Sequence, residues 1–237
     1  MTQLNLYLTT DYPCSYLPER RARNLVVDPR QTQQNHYQGL LLRGFRRSGE
    51  HVYRPHCHAC NACQSLRVSS LHFQASRSQR RAWQGNQDLR LGIHPMHRSQ
   101  EHYRLFQRYV RQRHEDGGMD TIAQDDFFAF TASRWCDSYL WELRDANQHL
   151  LCGAVVDHLN DGFSAVYSYF EPSASSRALG TLIILHQLEQ ARLRHLPWVY
   201  LGYYIRDCRK MTYKSRFQRH QRFVDGEWQW WLSTTPP

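Results

Sequence analysis

From residue 97 onward the chain follows two clear hydrophobic periods. Between His97 and His114, Tyr103, Phe106 and Val110 recur at helical spacing, and the Gly117–Gly118 pair stops the run. Asp125 to Ser133 predicts a second short helix. Three runs rich in β-branched and aromatic residues follow, SYLWELRD, LLCGAVVDHL and FSAVYSYF, divided by DANQH and NDG. Both dividers are turn chemistry, so the runs predict an antiparallel meander. EPSASSRALG then leads into a helix predicted over 178–195, and WVYLGYY after Pro197 predicts a last strand.

Residues 1–75 are less regular. They hold the turn-rich YPCSYLPERRARN, the amphipathic QNHYQGLLLRGF, a charged hairpin-like RRSGEHVYRP, and HCHACNAC. Val68, Leu71 and Phe73 in SLRVSSLHF then predict a strand with imperfect alternation. ASRSQRRAWQGNQDL reads as a linker or an exposed basic helix. The division expected is a cysteine-containing N-terminal region over 1–75 and a second domain over 76–237. Three antiparallel strands, a glycine turn, a helix and a parallel-compatible strand give β-β-β-α-β. This is the core order of an α+β, N-acetyltransferase-like acyltransferase fold with a mixed sheet. RALGT, with Arg177 and Gly180, stands where free amides and a helix N-terminus favour an anion such as phosphate.

Charge changes this picture by pointing to a partner. The formal net charge is +9, and of 30 basic residues all but Lys210 and Lys214 are arginine. A basic chain favours a polyanion, and arginine favours bidentate phosphate contact and stacking on bases. With 22% charged and 41% hydrophobic residues the chain is neither disordered nor collagen-like. No stretch approaches the roughly 18 to 20 apolar residues of a membrane span. MTQLNLYLTTDYPC lacks the basic and apolar regions of a secretory signal, and seven cysteines is an odd number. The expectation is a cytoplasmic protein with reduced thiols and no membrane association.

Two segments carry candidate chemistry. Cys57, Cys60 and Cys63 stand at C-x2-C-x2-C spacing, with Cys14 upstream, and His56 and His58 offer nitrogen ligands. That spacing suits zinc, an iron–sulfur cluster or a thiol redox switch, and does not choose among them. YLGYYIRDCRKMTYKSRF at 200–217 holds both lysines, with Tyr203, Tyr204, Arg206 and Tyr213. An ammonium used where arginine prevails elsewhere points to a carboxylate or phosphate site, against the plain reading of a solvated basic face. P-loop, G-x-G-x-x-G, G-x-S-x-G and H-E-x-x-H motifs are all missing from the sequence. No ATP site is legible, so any acyl group transferred arrives already activated.

Several segments together resemble one family. CSYLPERRARNLVVDP, YRPHCHACNACQSLRV, SRSQRR, DGGMD at 116–120, SAVYSYFEPS, RALGT and PWVYLGYYIRDCRKMTYK are similar to the bacterial aspartate/glutamate leucyltransferases. These are relatives of the eukaryotic arginyl-tRNA–protein transferases, which share mainly the pattern at Tyr203 to Lys214. Two departures stand out: Glu171-Pro172 replaces the usual Asp-Pro, and Ala178 replaces the usual Ser. The resemblance implies transfer of leucine from Leu-tRNA to proteins with N-terminal Asp or Glu, which creates an N-degron. It makes Glu171 or Asp207 the candidate to take the surplus proton of the amine, and Arg206, Lys210 or Lys214 the candidate to bind the acidic side chain. Arg20, Arg21, Arg23, Arg77, Arg80 and Arg81 become candidates for tRNA phosphates. The same reaction with Arg-tRNA, an acetyl-CoA-dependent acetyltransferase, and a metal-containing RNA-binding protein are the competing readings.

Overall fold

The computed structural model describes residues 3–113 and 122–231, so the DGGMD segment lies outside the described residues. The N-terminal part contains β1 (Leu6–Leu8), β2 (Tyr12–Pro13), β3 (Arg21–Ala22), β4 (Asn24–Val27), α1 (Gln34–Leu41), β5 (Arg46–Ser48) and β6 (His51–Pro55). Strands β1-β4-β6-β5 form an antiparallel sheet, and β2 pairs with β3. Then follow β7 (Gln64–Ser69), α2 (Arg77–Gln84), β8 (Arg90–Pro95), α3 (Gln100–Arg113) and α4 (Gln124–Thr131). The chain continues through β9 (Ser138–Arg144), β10 (Leu150–Leu159), β11 (Gly162–Phe170), α5 (Leu179–Leu193) and β12 (Trp198–Tyr204). It closes with α6 (Arg209–Thr212), β13 (His220–Val224) and β14 (Glu227–Trp231).

The large sheet has the order β14-β13-β7-β12-β11-β10-β9-β8. At its centre the expected order is present: β9, β10 and β11 form the meander, α5 crosses over, and β12 returns parallel to β11. Asn160-Asp161 makes the two-residue turn that closes β10 onto β11. The N-acetyltransferase-like α+β architecture therefore follows from the meander and a single crossover helix. That helix is apolar along most of its length because it lies against the sheet. Leu179, Leu182, Ile183, Leu185, Leu188 and Ala191 join Trp141, Leu143, Val156 and Val199 in the main core.

Where the sheet extends beyond the meander, the sequence pattern was weaker. Strand β8 adds to β9, and the hairpin β13–β14 extends the far edge. Strand β7 lies between β12 and β13, so residues 64–69 belong to the large sheet although they precede residue 75. It ends at Ser69, earlier than the apolar spacing suggested: Leu71 is exposed, and Phe73 packs on Phe217 instead. The basic segment after it does form a helix, because Ser76 and Gln79 build a reciprocal capping box at the start of α2. A second core holds the two sheets together: Val27, Tyr37, Leu40, Leu41, Phe45 and Val52 pack with Leu159 and Tyr200. No helix among the described residues is long and apolar enough to cross a membrane.

Candidate active site

The site begins with a short ladder. β11 and β12 pair only over Gly162–Ser164 and Trp198–Tyr200. They approach closely there because Gly162 has no side chain; a Cβ would run into the Trp198 carbonyl. Beyond that point each strand carries an extra residue. Val155 faces Tyr167 while Val156 faces Ala165, which leaves Val166 as a bulge on β11. Tyr200 faces Arg67 while Gly202 faces Leu66, which leaves Leu201 as a bulge on β12. Bulges bend strands and end regular pairing. The result is an opening between two central parallel strands, with the α5 N-terminus near its mouth.

A cavity of about 460 Å³ lies at this end of β11. Tyr109, Ser168, Phe170, Ala178, Gly180, Thr181 and Tyr213 contribute to its wall. Ala178 precedes the helix in a left-handed conformation (φ 53°), and no side chain caps the first turn. Gly180 lets this turn lie against Phe170: a Cβ there would be 2.9 Å from the ring. The predicted Gly180 and Tyr213 thus meet at one cavity, whose described lining has no charged side chain.

Lys214 is deeper. It is 7% exposed, donates to the Tyr203 carbonyl at 2.7 Å, and places Nζ 3.3 Å from Met211 Sδ. Burial, reinforced by the nearby Arg46 charge, pushes its ammonium down to about 7. Tyr203 is buried and its hydroxyl donates to the carbonyls of Gly44 and Tyr53, both at 3.2 Å. Burial raises its pKa well above the usual phenol value, so it stays neutral.

The other predicted residues are not drawn into this cluster. Tyr204 lies under the Arg222 guanidinium, 3.8 Å from its ring centre. Arg206, Asp207 and Lys210 are exposed after β12, so the two lysines do not share a face. Glu171 receives Arg108 Nε at 2.9 Å and the Ser173 hydroxyl at 3.1 Å, and begins the tight turn Pro172–Arg177. Arg177 donates to Asn86 at 2.7 Å and Asp88 at 2.6 Å, which ties that turn to the end of α2. Arg20, Arg21, Arg77, Arg80 and Arg81 are exposed, while Arg23 is partly covered and donates to the His56 carbonyl.

Cys14, Cys57, Cys60 and Cys63 line a second cavity, of about 680 Å³, with Tyr12, Tyr16, Arg20, Arg21, Tyr53 and Tyr203. All seven cysteines are free thiols. Among the described residues no three His, Cys, Asp or Glu side chains converge as a metal ion requires. Burial, with the neighbouring sulfurs of Cys14 and Cys57, pushes the Cys63 thiol up to about 12.

Sequence reasoning missed Arg46 and Arg47, which sat inside what looked like a charged surface hairpin. Arg47 is fully buried against Asp157, with Ser138 and the Thr131 carbonyl completing its hydrogen bonds. Arg46 Nη2 reaches into the parted strands and donates to the Ala165 carbonyl at 2.7 Å. The one available signal was position: two arginines directly before a turn, in a segment whose Val52 enters a core.

Comparison with known proteins adds to this geometry. Residues 12–81 match the family model described as Arginine-tRNA-protein transferase, N terminus, and residues 101–224 match its C-terminus counterpart. An aspartate/glutamate leucyltransferase of Nitrosococcus oceani is 47% identical over 94% of this chain and 94% of its own. Those of Teredinibacter turnerae and Marinobacter nauticus are 44% and 42% identical, over 96% and 95% of this chain and 94% and 95% of theirs. Among solved structures, L-PGS from Bacillus licheniformis aligns at 10% identity with a TM-score of 0.46, covering 72% of this chain and 49% of that one.

Proposed function

This chain belongs to the arginine-tRNA–protein transferase family, with aspartate/glutamate leucyltransferases among its relatives, and we propose that it transfers leucine from Leu-tRNA to the α-amine of proteins that begin with Asp or Glu. The observation that carries the reading is the opening between β11 and β12, with an uncapped helix N-terminus at its mouth and a cavity whose described lining carries no charge.

The chemistry asks little of a nucleophile or base. An aminoacyl ester is already activated, and an α-amine with a pKa near 7.7 to 8.0 is partly unprotonated at neutrality. The amine attacks the ester carbonyl, an amide bond forms, and the ester C–O bond to the ribose breaks. The surplus proton of the amine ends on the departing hydroxyl. Placing amine and ester together supplies most of the acceleration, and donors facing the tetrahedral oxyanion add to it. The α5 amides and Tyr213 are suited to hold the acyl end of the donor. A leucyl side chain fits a cavity walled by Tyr109, Phe170 and Tyr213, whereas an arginyl donor would call for a carboxylate, and none stands among the described residues that line it. Glu171, held by Arg108, maintains the Pro172–Arg177 turn beside this cavity.

The test uses the full-length protein with labelled Leu-tRNA, Arg-tRNA or acetyl-CoA and peptides beginning with Asp, Glu or Asn. Leucine should pass to the Asp and Glu peptides, and RNase treatment of the donor should abolish transfer. Equal transfer from Arg-tRNA would overturn the donor assignment, and transfer from acetyl-CoA would overturn the reading as a whole.

A further inference from the structure

Among the described residues the buried cations are covered in different ways. Arg47 has Asp157, while Arg67 has Gln221 and lies between the rings of Trp198 and Trp228. Arg222 is stacked on Tyr204 and Trp231. Arg46 and Lys214 are each 7% exposed, and among the described residues neither has a carboxylate within ion-pair distance. Arg46 Nη1 is buried with no hydrogen-bond partner among the described residues. Two like charges together, one with an orphaned donor, are expensive to bury unless something negative joins them.

Gly202 shows where that negative group would sit. Its backbone is left-handed (φ +81°), and a Cβ added there would lie 3.6 Å from Arg46 Nε, Arg46 Nη2 and Lys214 Nζ alike. Three nitrogens that carry hydrogens therefore converge on the Gly202 backbone, at ordinary contact distance from where a side chain would begin. The Nε–Nη2 edge of a guanidinium presents two donors side by side, matched to the two oxygens of a carboxylate.

We propose that Arg46 and Lys214, where they converge on the Gly202 backbone, form the subsite for the side-chain carboxylate of the acceptor's first residue. This rests on the leucyl-transfer reading above. The location suits that role: Lys214 is held by the Tyr203 carbonyl, Arg46 is held by the Ala165 carbonyl beside the β11 bulge, and Tyr213 next to Lys214 lines the donor cavity. A peptide whose acidic side chain is anchored here has its α-amine only a few bonds from the anchor. An Asn or Gln amide would turn N–H groups toward N–H groups, and so be refused. A tRNA phosphate is the less suitable occupant, because a backbone diester needs a more open site than two side chains buried to this depth.

The experiment measures KM and kcat for peptides beginning with Asp and Asn at saturating Leu-tRNA, and Leu-tRNA affinity by filter binding. Arg46→Gln should raise KM for the Asp peptide about ten- to hundredfold, the usual worth of a lost charge-assisted bond. Leu-tRNA affinity should change less than about twofold, and the Asp-over-Asn preference should shrink in proportion. Arg46→Lys, which keeps the charge but loses the fork, should fall between. It also serves if the glutamine variant does not fold by circular dichroism. Equal losses for Asp and Asn peptides would mean a structural role. A loss confined to Leu-tRNA affinity would assign the site to a phosphate, and an unchanged Asp preference would remove the subsite. Each of those outcomes requires an active wild-type enzyme. Wild-type protein that transfers leucine to no peptide would instead overturn the underlying reading.

Discussion

Arg46 and Arg47 are chain neighbours with opposite fates. On a strand, successive side chains point to opposite faces, so Arg47 enters the core against Asp157 while Arg46 turns into the opening between β11 and β12. Removing one member of a buried pair leaves an uncompensated charge, so Arg47→Met should cost about 3–5 kcal/mol in denaturant unfolding. Adding Asp157→Leu should recover much of that loss; no recovery would mean the pair is not what holds this site. The two lysines diverge in the same way. Their scarcity drew attention to one segment, in which only Lys214 is buried and Lys210 is exposed on α6. A sequence gives the spacing of two charges and not the depth of either, because depth depends on what packs above them.

Among elements, the meander and the crossover helix were legible because their hydrophobic runs are long and their turns are chemically explicit. β8, β13 and β14 were not, since RLGIHP and HQRFV carry polar side chains whose partners lie far away in the chain. Gln221 in β13 meets Arg67 in β7, for example. The contact of α3 with the sheet was equally hidden. His102 on α3 bridges Glu142 on β9 at 2.7 Å and the Tyr169 hydroxyl on β11 at 2.6 Å. Burial acts to raise the Glu142 pKa, but hydrogen bonds from His102 and Arg144 outweigh it and hold the carboxyl at about 2. A depressed carboxyl stabilises the fold at pH values above its unfolded pKa, near 4.5, and that contribution disappears as pH falls toward 2. At roughly 1.4 kcal/mol per pKa unit the contribution is about 3 kcal/mol. Thermal melts from pH 6 to pH 2 should show the loss for the native protein, and Glu142→Gln should flatten the curve. An equally steep curve for the variant would place the acid sensitivity elsewhere.

For the whole molecule, the net charge is +9, most described arginines are exposed, and the proposed donor is a polyanion. Leu-tRNA affinity should therefore fall with salt, and each phosphate contact removed should lower the log–log slope by about 0.7 to 0.9. Combined Arg77→Gln, Arg80→Gln and Arg81→Gln tests the face of α2; an unchanged slope would clear that face of phosphate contact. The sequence by itself determined the meander, the crossover, the absence of a legible ATP site and the family resemblance, because these reside in local periodicity and contiguous motifs. Tertiary structure decided the rest. It placed β7 inside the large sheet, parted β11 from β12 through two bulges, and left Arg46 beside Lys214 with no counter-charge among the described residues. Those features depend on which distant strands share a ladder and which side chains they shut away from water, and no run of neighbouring residues encodes that.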